Sequence, residues 1–170
     1  MTCDTALGHR DPQTEGIRLQ KPYLALSQGE SRITRSYDPA HWFSCYLNQA
    51  IETLGVRKFV FPTLPYEIWV FSTNLAYASL EHPEPKQAMK VLFRKRQGDQ
   101  DVETLRAANL LIETLTLSPM SEKLLSQVLQ RENFKLPMSL KSFMDWDVAV
   151  LPVLYKADVK ALETATYPWL

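Results

Sequence analysis

The chain has 170 residues, of which 45% are hydrophobic, and this composition suits one folded domain rather than a fully disordered chain. Its 19 basic and 19 acidic side chains give a formal net charge of zero. A chain without net positive charge lacks the sustained field that bulk nucleic-acid binding needs, so we do not expect nucleic acid as its partner. Low net charge leaves self-association open.

Residues 1–36 are rich in polar residues, and their sparse apolar side chains follow neither a helical nor a strand period. We therefore predict a flexible N-terminal arm over 1–36 and a folded domain over 37–170. The acidic residues near the N-terminus fit neither a secretory signal nor a transit peptide. With two cysteines and no apolar run of 18 residues, the chain is predicted to be cytoplasmic and to lack a membrane span.

The first helix of the predicted domain is marked at both ends. Asp38 is a favourable N-cap, Pro39 suits the first helical position, and Gly55 suits the position after the helix. Apolar residues recur between them at helical spacing, which predicts a helix over 39–54 with one buried face. The connector that follows contains Phe59-Val60-Phe61, which is typical of a buried extended segment.

Two further helices are predicted on either side of a proline turn, over 65–81 and 85–98. The first is apolar nearly all round, which is typical of a central helix, and it places Trp69 in the core. The second has its apolar residues at helical spacing. The residue before a proline disfavours the helical conformation, so His82-Pro83 separates the two helices.

Two more helices are predicted over 102–116 and 119–131, the latter capped by Ser118, and shorter ones near Ser139 and over 158–165. The pair Asn74-Leu75 recurs as Asn109-Leu110, a shift of 35 residues that is typical of helix-hairpin repeats. We therefore predict an all-α fold. Its five to six helices pack as antiparallel helical hairpins, with a short solenoid-like stack as one possible arrangement.

The region 85–98 has the most unusual charge pattern of the chain. Lys86, Lys90 and Arg94 recur every four residues, and Lys95 extends this basic row. On a helix such like charges lie on one face and repel each other. We predict that the row binds a protein with an acidic surface, and that changing its first three members to Gln leaves the fold stable. RNA is disfavoured because no aromatic residues interleave the row.

The C-terminal residues are a second candidate binding segment. The chain ends on Tyr167-Pro168-Trp169-Leu170, and leaving these apolar side chains in water is unfavourable. They either fold back on the domain or anchor in a partner, since tyrosine and tryptophan are favoured at interfaces. Tyr167, Trp169 and Leu170 therefore join the predicted partner-binding residues.

Two side-chain pairs support a rival interpretation as a small enzyme. His41 and Cys45 lie four residues apart, as a metal pair or a nucleophile with its base would on a helix. Asp145 and Asp147 are the other pair, although paired carboxylates usually come from separate elements. Neither pair has a third supporting group in the sequence, so we predict no metal, no cofactor and no catalytic residue.

The absence of recognisable catalytic motifs, together with the basic row and the apolar termini, favours a non-catalytic protein–protein interaction subunit. Such a subunit would act as an adaptor, a chaperone-like protein or an assembly factor. Two alternatives remain, which are the small enzyme just described and a nucleic-acid-associated module acting through the basic segment 85–97.

Overall fold

A computed structural model of the chain describes residues 8–10, 15–19, 25–28, 33–36, 38–78, 83–96 and 111–153. Within these ranges the protein has two α-helices and ten strands, six of which form one mixed sheet. The fold is therefore α/β. The predictions of an all-α fold, of helical hairpins and of helical repeats are wrong.

The elements follow one another in a simple order along the chain. Four short strands come first, then a helix, three strands, a short strand, a second helix, a 3₁₀ turn and two final strands. Their bounds are β1 Gly8–Arg10, β2 Ile17–Leu19, β3 Ala25–Gln28, β4 Ile33–Ser36, α1 Pro39–Leu54, β5 Lys58–Val60, β6 Tyr66–Tyr77, β7 Lys86–Lys95, β8 Ile112–Thr114, α2 Pro119–Phe134, the 3₁₀ turn Met138–Leu140, β9 Ser142–Phe143 and β10 Trp146–Pro152.

The main sheet has the strand order β8-β5-β6-β7-β10-β9. β8 runs parallel to β5, and all other neighbours are antiparallel. The pairing register of β6 with β7 shifts twice, between Val70 and Ser72 and between Ser72 and Leu75. β1 pairs with β2 and β3 pairs with β4 in two separate two-stranded sheets.

Both helices cover the same face of the main sheet, which we call the helix face. Phe43 and Leu47 of α1 and Leu125 and Leu129 of α2 are fully buried in one apolar cluster. The strands supply alternate residues to this cluster, as a half-covered sheet requires. These are Phe59, Ile68, Val70, Met89, Val91, Phe93, Ala149 and Leu151.

The two helices are those whose ends the sequence marks most clearly. Asp38 caps α1 by accepting a hydrogen bond from the backbone N–H of Ala40, and Gly55 ends it with a φ of 71°. Ser118 caps α2 by accepting from the N–H of Ser121. The predicted helix over 39–54 is confirmed, and the helix predicted over 119–131 is confirmed with a longer C-terminal end.

The helices predicted over 65–81 and 85–98 are wrong, because these residues form β6 and β7. The run Ile68-Trp69-Val70-Phe71 consists of β-branched and aromatic residues that favour strands. Its lack of a polar face arises because Trp69 and Phe71, on the face away from the helices, pack against each other and against other aromatic rings. Trp69 consequently lies half-buried on the face opposite the helices, outside the main core, so its predicted place is also wrong.

The remaining predictions divide between confirmed, wrong and untested. The buried extended segment over Phe59-Val60-Phe61 is confirmed. The helix predicted over 102–116 lies largely outside the described residues, but its end at Ile112–Thr114 is a strand. The segment after Ser139 continues as strands rather than a helix. The 158–165 helix lies outside the described residues.

The N-terminal residues that are described form the two small hairpins β1–β2 and β3–β4. The proposed boundary between an arm and a domain at residues 36 and 37 stays a prediction. Neither of the two described helices is long and apolar enough to cross a membrane.

Candidate partner-binding surface

The basic row lies on strand β7 rather than on a helix. Lys86, Lys90 and Arg94 still share one face, because a spacing of four residues is also two full periods of a strand. This is the face opposite the helices, which we call the outer face. Lys95 points the other way, toward the side of Tyr66, whose hydroxyl accepts a hydrogen bond from Gln130 of α2. The row therefore loses one of its four predicted members.

Neighbouring strands supply aromatic rings beneath these cations. The Lys90 Nζ atom lies 5.0 Å from the ring centre of Phe71 and 5.7 Å from that of Phe143. Lys58 sits 5.1 Å from the Trp69 ring in the same way. Cations at such distances are attracted to the ring faces. Aromatic rings therefore do lie beside the cations of the row, although neighbouring strands supply them. The sequence-based argument against RNA, that no aromatic residues interleave the row, is wrong for this reason.

Arg94 differs from the other cations because it is part of a network. Its guanidinium donates hydrogen bonds to the Glu67 carboxylate at 2.9 and 3.0 Å and to Asp145, and it lies 4.2 Å from the ring centre of Trp146. Glu67 is only 6% exposed. Changing Arg94 would leave this buried carboxylate without its cation, so we now expect the change to destabilise the fold.

Several large apolar side chains are exposed within residues 134–144, which run from the last residue of α2 to the turn after β9. This group, which we call the apolar corner, comprises Phe134, Met138, Leu140, Phe143 and Met144. Sequence reasoning missed it. The available signal was a set of large apolar residues that matched neither a helical nor a strand period, and so belonged to no predicted core face.

The outer face and the apolar corner are continuous. Phe143 belongs to the corner, and its ring centre lies 6.2 Å from that of Phe71, which is itself part-exposed. The ring centre of Trp69 lies 5.5 Å from that of Phe71 and 5.9 Å from that of Trp146. An aromatic row thus runs across three strands and ends at the corner, with Lys58, Lys90 and Arg94 over its rings.

The pair His41 and Cys45 lies on α1 as predicted, but its surroundings are structural. Cys45 is exposed, and His41 lies 3.7 Å from Asp38, measured between Nδ1 and Oδ2. Asp38 also caps the helix and accepts from Arg131 at 3.0 Å. Among the described residues, no three histidine, cysteine or acidic side chains come together as a metal site.

Asp145 and Asp147 flank the buried Trp146, and both are exposed. The hydrogen bond from Arg94 is the main reason that the pKa of the Asp145 carboxyl lies below its ordinary value. A general acid needs the opposite shift, so this carboxylate is poorly suited to that role. Its observed partner gives it a structural role.

A cleft of about 380 Å³ lies between the loop after β5 and the start of α2. Its one buried acid, Glu122, accepts hydrogen bonds from both the backbone N–H and the hydroxyl of Thr63. The carboxylate therefore ties the loop to the helix. We assign the cleft no chemistry, because its buried charged group already has its partners.

The predicted C-terminal binding residues Tyr167, Trp169 and Leu170 lie outside the described residues, and their role stays a prediction. No curated protein sequence and no solved structure matches the chain. A family model described as HECT-like ubiquitin-conjugating enzyme (E2)-binding does match it, over residues 1–148. That description names a protein as the bound partner, and it supports a protein–protein interaction role. Because the match spans well over half of the sequence, the chain belongs to the HECT-like ubiquitin-conjugating enzyme (E2)-binding family.

Proposed function

We propose that this chain is a non-catalytic module that binds a ubiquitin-conjugating enzyme. The observation that carries the proposal is the family match over residues 1–148, since the family is described by what it binds and not by a reaction. The match includes α1, α2 and nearly the whole main sheet. Binding of an E2 also narrows the predicted range of adaptor, chaperone-like and assembly roles to one class of partner.

The outer face is the part of the described surface whose chemistry best suits such a partner. Lys90 lies over Phe71 and Phe143, and within the described ranges no carboxylate oxygen lies within 4 Å of its Nζ atom. A cation without a counter-charge beside part-exposed rings can contribute both electrostatic attraction and apolar contact area. Lys86 extends this surface along β7, while Arg94 holds it together through Glu67.

A direct binding experiment tests the proposal. The purified full chain is titrated against a panel of ubiquitin-conjugating enzymes by calorimetry, at about 50 mM and about 300 mM salt. We expect at least one member of the panel to bind, and binding to weaken with salt if carboxylates of the partner face Lys90. The proposal fails if no member of the panel binds.

A matched pair of variants assigns the binding to the outer face. Lys90→Gln should weaken binding about three- to tenfold, which corresponds to about 1 kcal/mol. Lys123→Gln removes the same charge from an exposed position on α2 and should leave the affinity unchanged. Equal effects of both variants would mean that the affinity follows net charge and not the outer face.

The two rival functions are tested with the same material. Cys45→Ser and Asp147→Asn should keep E2 binding, since the proposed module uses neither group chemically and neither forms an ion pair with Arg94. A single-stranded RNA oligonucleotide should bind more weakly than the E2. Tighter binding of RNA, falling steeply with salt, would favour the nucleic-acid interpretation.

A further inference from the structure

The apolar corner is unusual because its large side chains are exposed although the same stretch is firmly attached to the fold. Met144 is 85% exposed and Phe134 is 80% exposed. Exposed apolar residues scattered singly are ordinary in proteins, but a group of them marks a contact surface. The five members of the corner fall within residues 134–144 of the sequence, and Lys141, which lies over the Phe134 ring, links the end of α2 to the segment before β9.

Hydrogen bonds hold the corner in place. The Asn133 side-chain amide donates to the carbonyl of Lys141 at 2.7 Å and to that of Val148 at 2.8 Å, while the N–H of Val148 donates to Lys141 at 2.8 Å. One side chain at the end of α2 thereby fixes both the segment before β9 and the strand β10. A surface fixed in this way loses little conformational freedom when a partner binds.

The tip of the corner has a backbone conformation that its residue does not favour. β9 pairs with β10 so that Phe143 faces Trp146, which leaves Met144 and Asp145 as a two-residue turn. Met144 has a φ of 55°, in the left-handed region that glycine or asparagine adopts more readily. An exposed methionine in this conformation adds neither turn stability nor solubility, which makes its side chain a candidate for contact with a partner.

Charge indicates which kind of partner fits. The Lys141 Nζ atom lies 4.8 Å from the Phe134 ring centre, and Lys90 lies 5.7 Å from that of Phe143. Within the described ranges neither lysine has a carboxylate within ion-pair distance. The corner is therefore an apolar surface with two unneutralised cations beside it, which complements apolar side chains flanked by carboxylates.

We propose that the apolar corner is the anchor for the E2, which contacts Met144, Phe143 and Phe134 through an exposed apolar residue flanked by acidic side chains facing Lys90 and Lys141. This inference rests on the proposed function and adds the location and chemistry of the contact. The corner supplies most of the affinity, because apolar anchors at the centre of an interface contribute more than charges at its rim.

The test uses a variant designed to fold at least as well as the wild type. Met144→Asn replaces the side chain by a polar one that tolerates the left-handed conformation, and Phe134→Gln keeps a good helix former at the end of α2. The double variant should have a Tm equal to or above that of the wild type. Its affinity for the E2 identified with the wild type should fall at least about 30-fold. Ile17→Thr is the control, because Ile17 is an apolar residue of similar exposure, at 77%, on β2.

The outcomes separate the inference from the function on which it rests. If the wild type binds no E2, the proposed function is overturned and the inference falls with it. If the wild type binds and the double variant binds equally well, only the inference is overturned. It is also overturned if Ile17→Thr loses as much affinity, or if sedimentation shows that the double variant loses self-association while keeping E2 binding. Lost affinity with an unchanged or raised Tm supports it.

Discussion

The two faces of the main sheet are both rich in aromatic residues, but they use them differently. On the helix face, Phe43, Phe59 and Phe93 lie almost wholly out of water, packed against aliphatic side chains. On the outer face, Trp69 and Phe71 are only part-buried, and cations lie over their rings. The first arrangement maximises buried apolar area, whereas the second keeps apolar surface accessible beside positive charge. Mutations in the helix face should therefore lower the free energy of unfolding more than mutations in the outer face, which we propose as the partner-binding surface.

The largest expected effect is on the helix face. Phe43→Ala should lower the free energy of unfolding by about 3–5 kcal/mol, because the fully buried ring leaves a cavity between α1 and the sheet. Chemical denaturation measures the change. A loss below about 1 kcal/mol would mean that α1 is not firmly packed on the sheet, and would remove the distinction between the faces.

Replacing Trp69 on the outer face should lower the free energy of unfolding less than replacing Phe43 in the core, although tryptophan is the larger residue. Trp69→Ala should cost about 2 kcal/mol, because the side chain is half-buried and packs on Trp146 and Leu92 at the edge of a minor cluster. The same denaturation experiment checks this. A loss of unfolding free energy equal to that of Phe43→Ala would show that Trp69 stabilises the fold as much as a core residue does.

A variant of Arg94 tests whether the ion pair between Arg94 and Glu67 on the outer face stabilises the fold. Arg94→Gln should cost about 1–2 kcal/mol, since buried Glu67 loses its cation while Gln retains some hydrogen bonding. Adding Glu67→Gln should restore part of the loss, because the buried position no longer carries a charge. If the second change adds to the loss instead, the pair does not act through charge.

The smallest effect concerns pH. Burial alone would raise the pKa of Asp38, but hydrogen bonds from the Ala40 N–H and from Arg131, together with the positive charges nearby, bring it below the ordinary value. A lowered folded-state pKa contributes stability above the unfolded-state value of about 3.9, and this contribution is lost as the pH falls through the folded-state pKa. Asp38→Asn keeps a capping side chain but removes the titration.

Below about pH 4, therefore, the stability of Asp38→Asn should fall less steeply than that of the wild type, and near neutral pH it should be lower by a few tenths of a kcal/mol. Thermal melts across this pH range measure both quantities. Parallel pH profiles for the two proteins would show that Asp38 does not contribute to the acid sensitivity.

The sequence predicts the two helices well because their ends carry capping residues whose chemistry is local. Asp38, Gly55 and Ser118 satisfy helix-terminal groups within a few residues, so no distant part of the chain is needed to identify them. Strand β7 is different. Its lysines, glutamine and methionine are good helix formers, and only pairing with β6 and β10 makes it a strand.

The sequence predicts the shared face of the basic row correctly although it predicts a helix where the structure has a strand. Lys86, Lys90 and Arg94 recur every four residues, and this spacing places them on one face of either a helix or a strand. What the spacing could not provide were the contacts across strands. Phe71, Phe143 and Trp146 meet these cations only because β6, β7, β9 and β10 lie side by side. Likewise, Glu67 becomes the partner of Arg94 through strand register.

The short outer strands leave part of the main sheet edge without a neighbour. β5 pairs only with Glu67, Ile68 and Trp69 of β6, so within the described ranges residues 72–77 of that long strand have a paired strand on the β7 side alone. β9 likewise pairs with only two residues of β10. A free strand edge is a template for an added strand, since this mode of recognition draws its affinity from a row of main-chain hydrogen bonds. The fold therefore offers a partner main-chain groups along β6 as well as the side chains of the outer face.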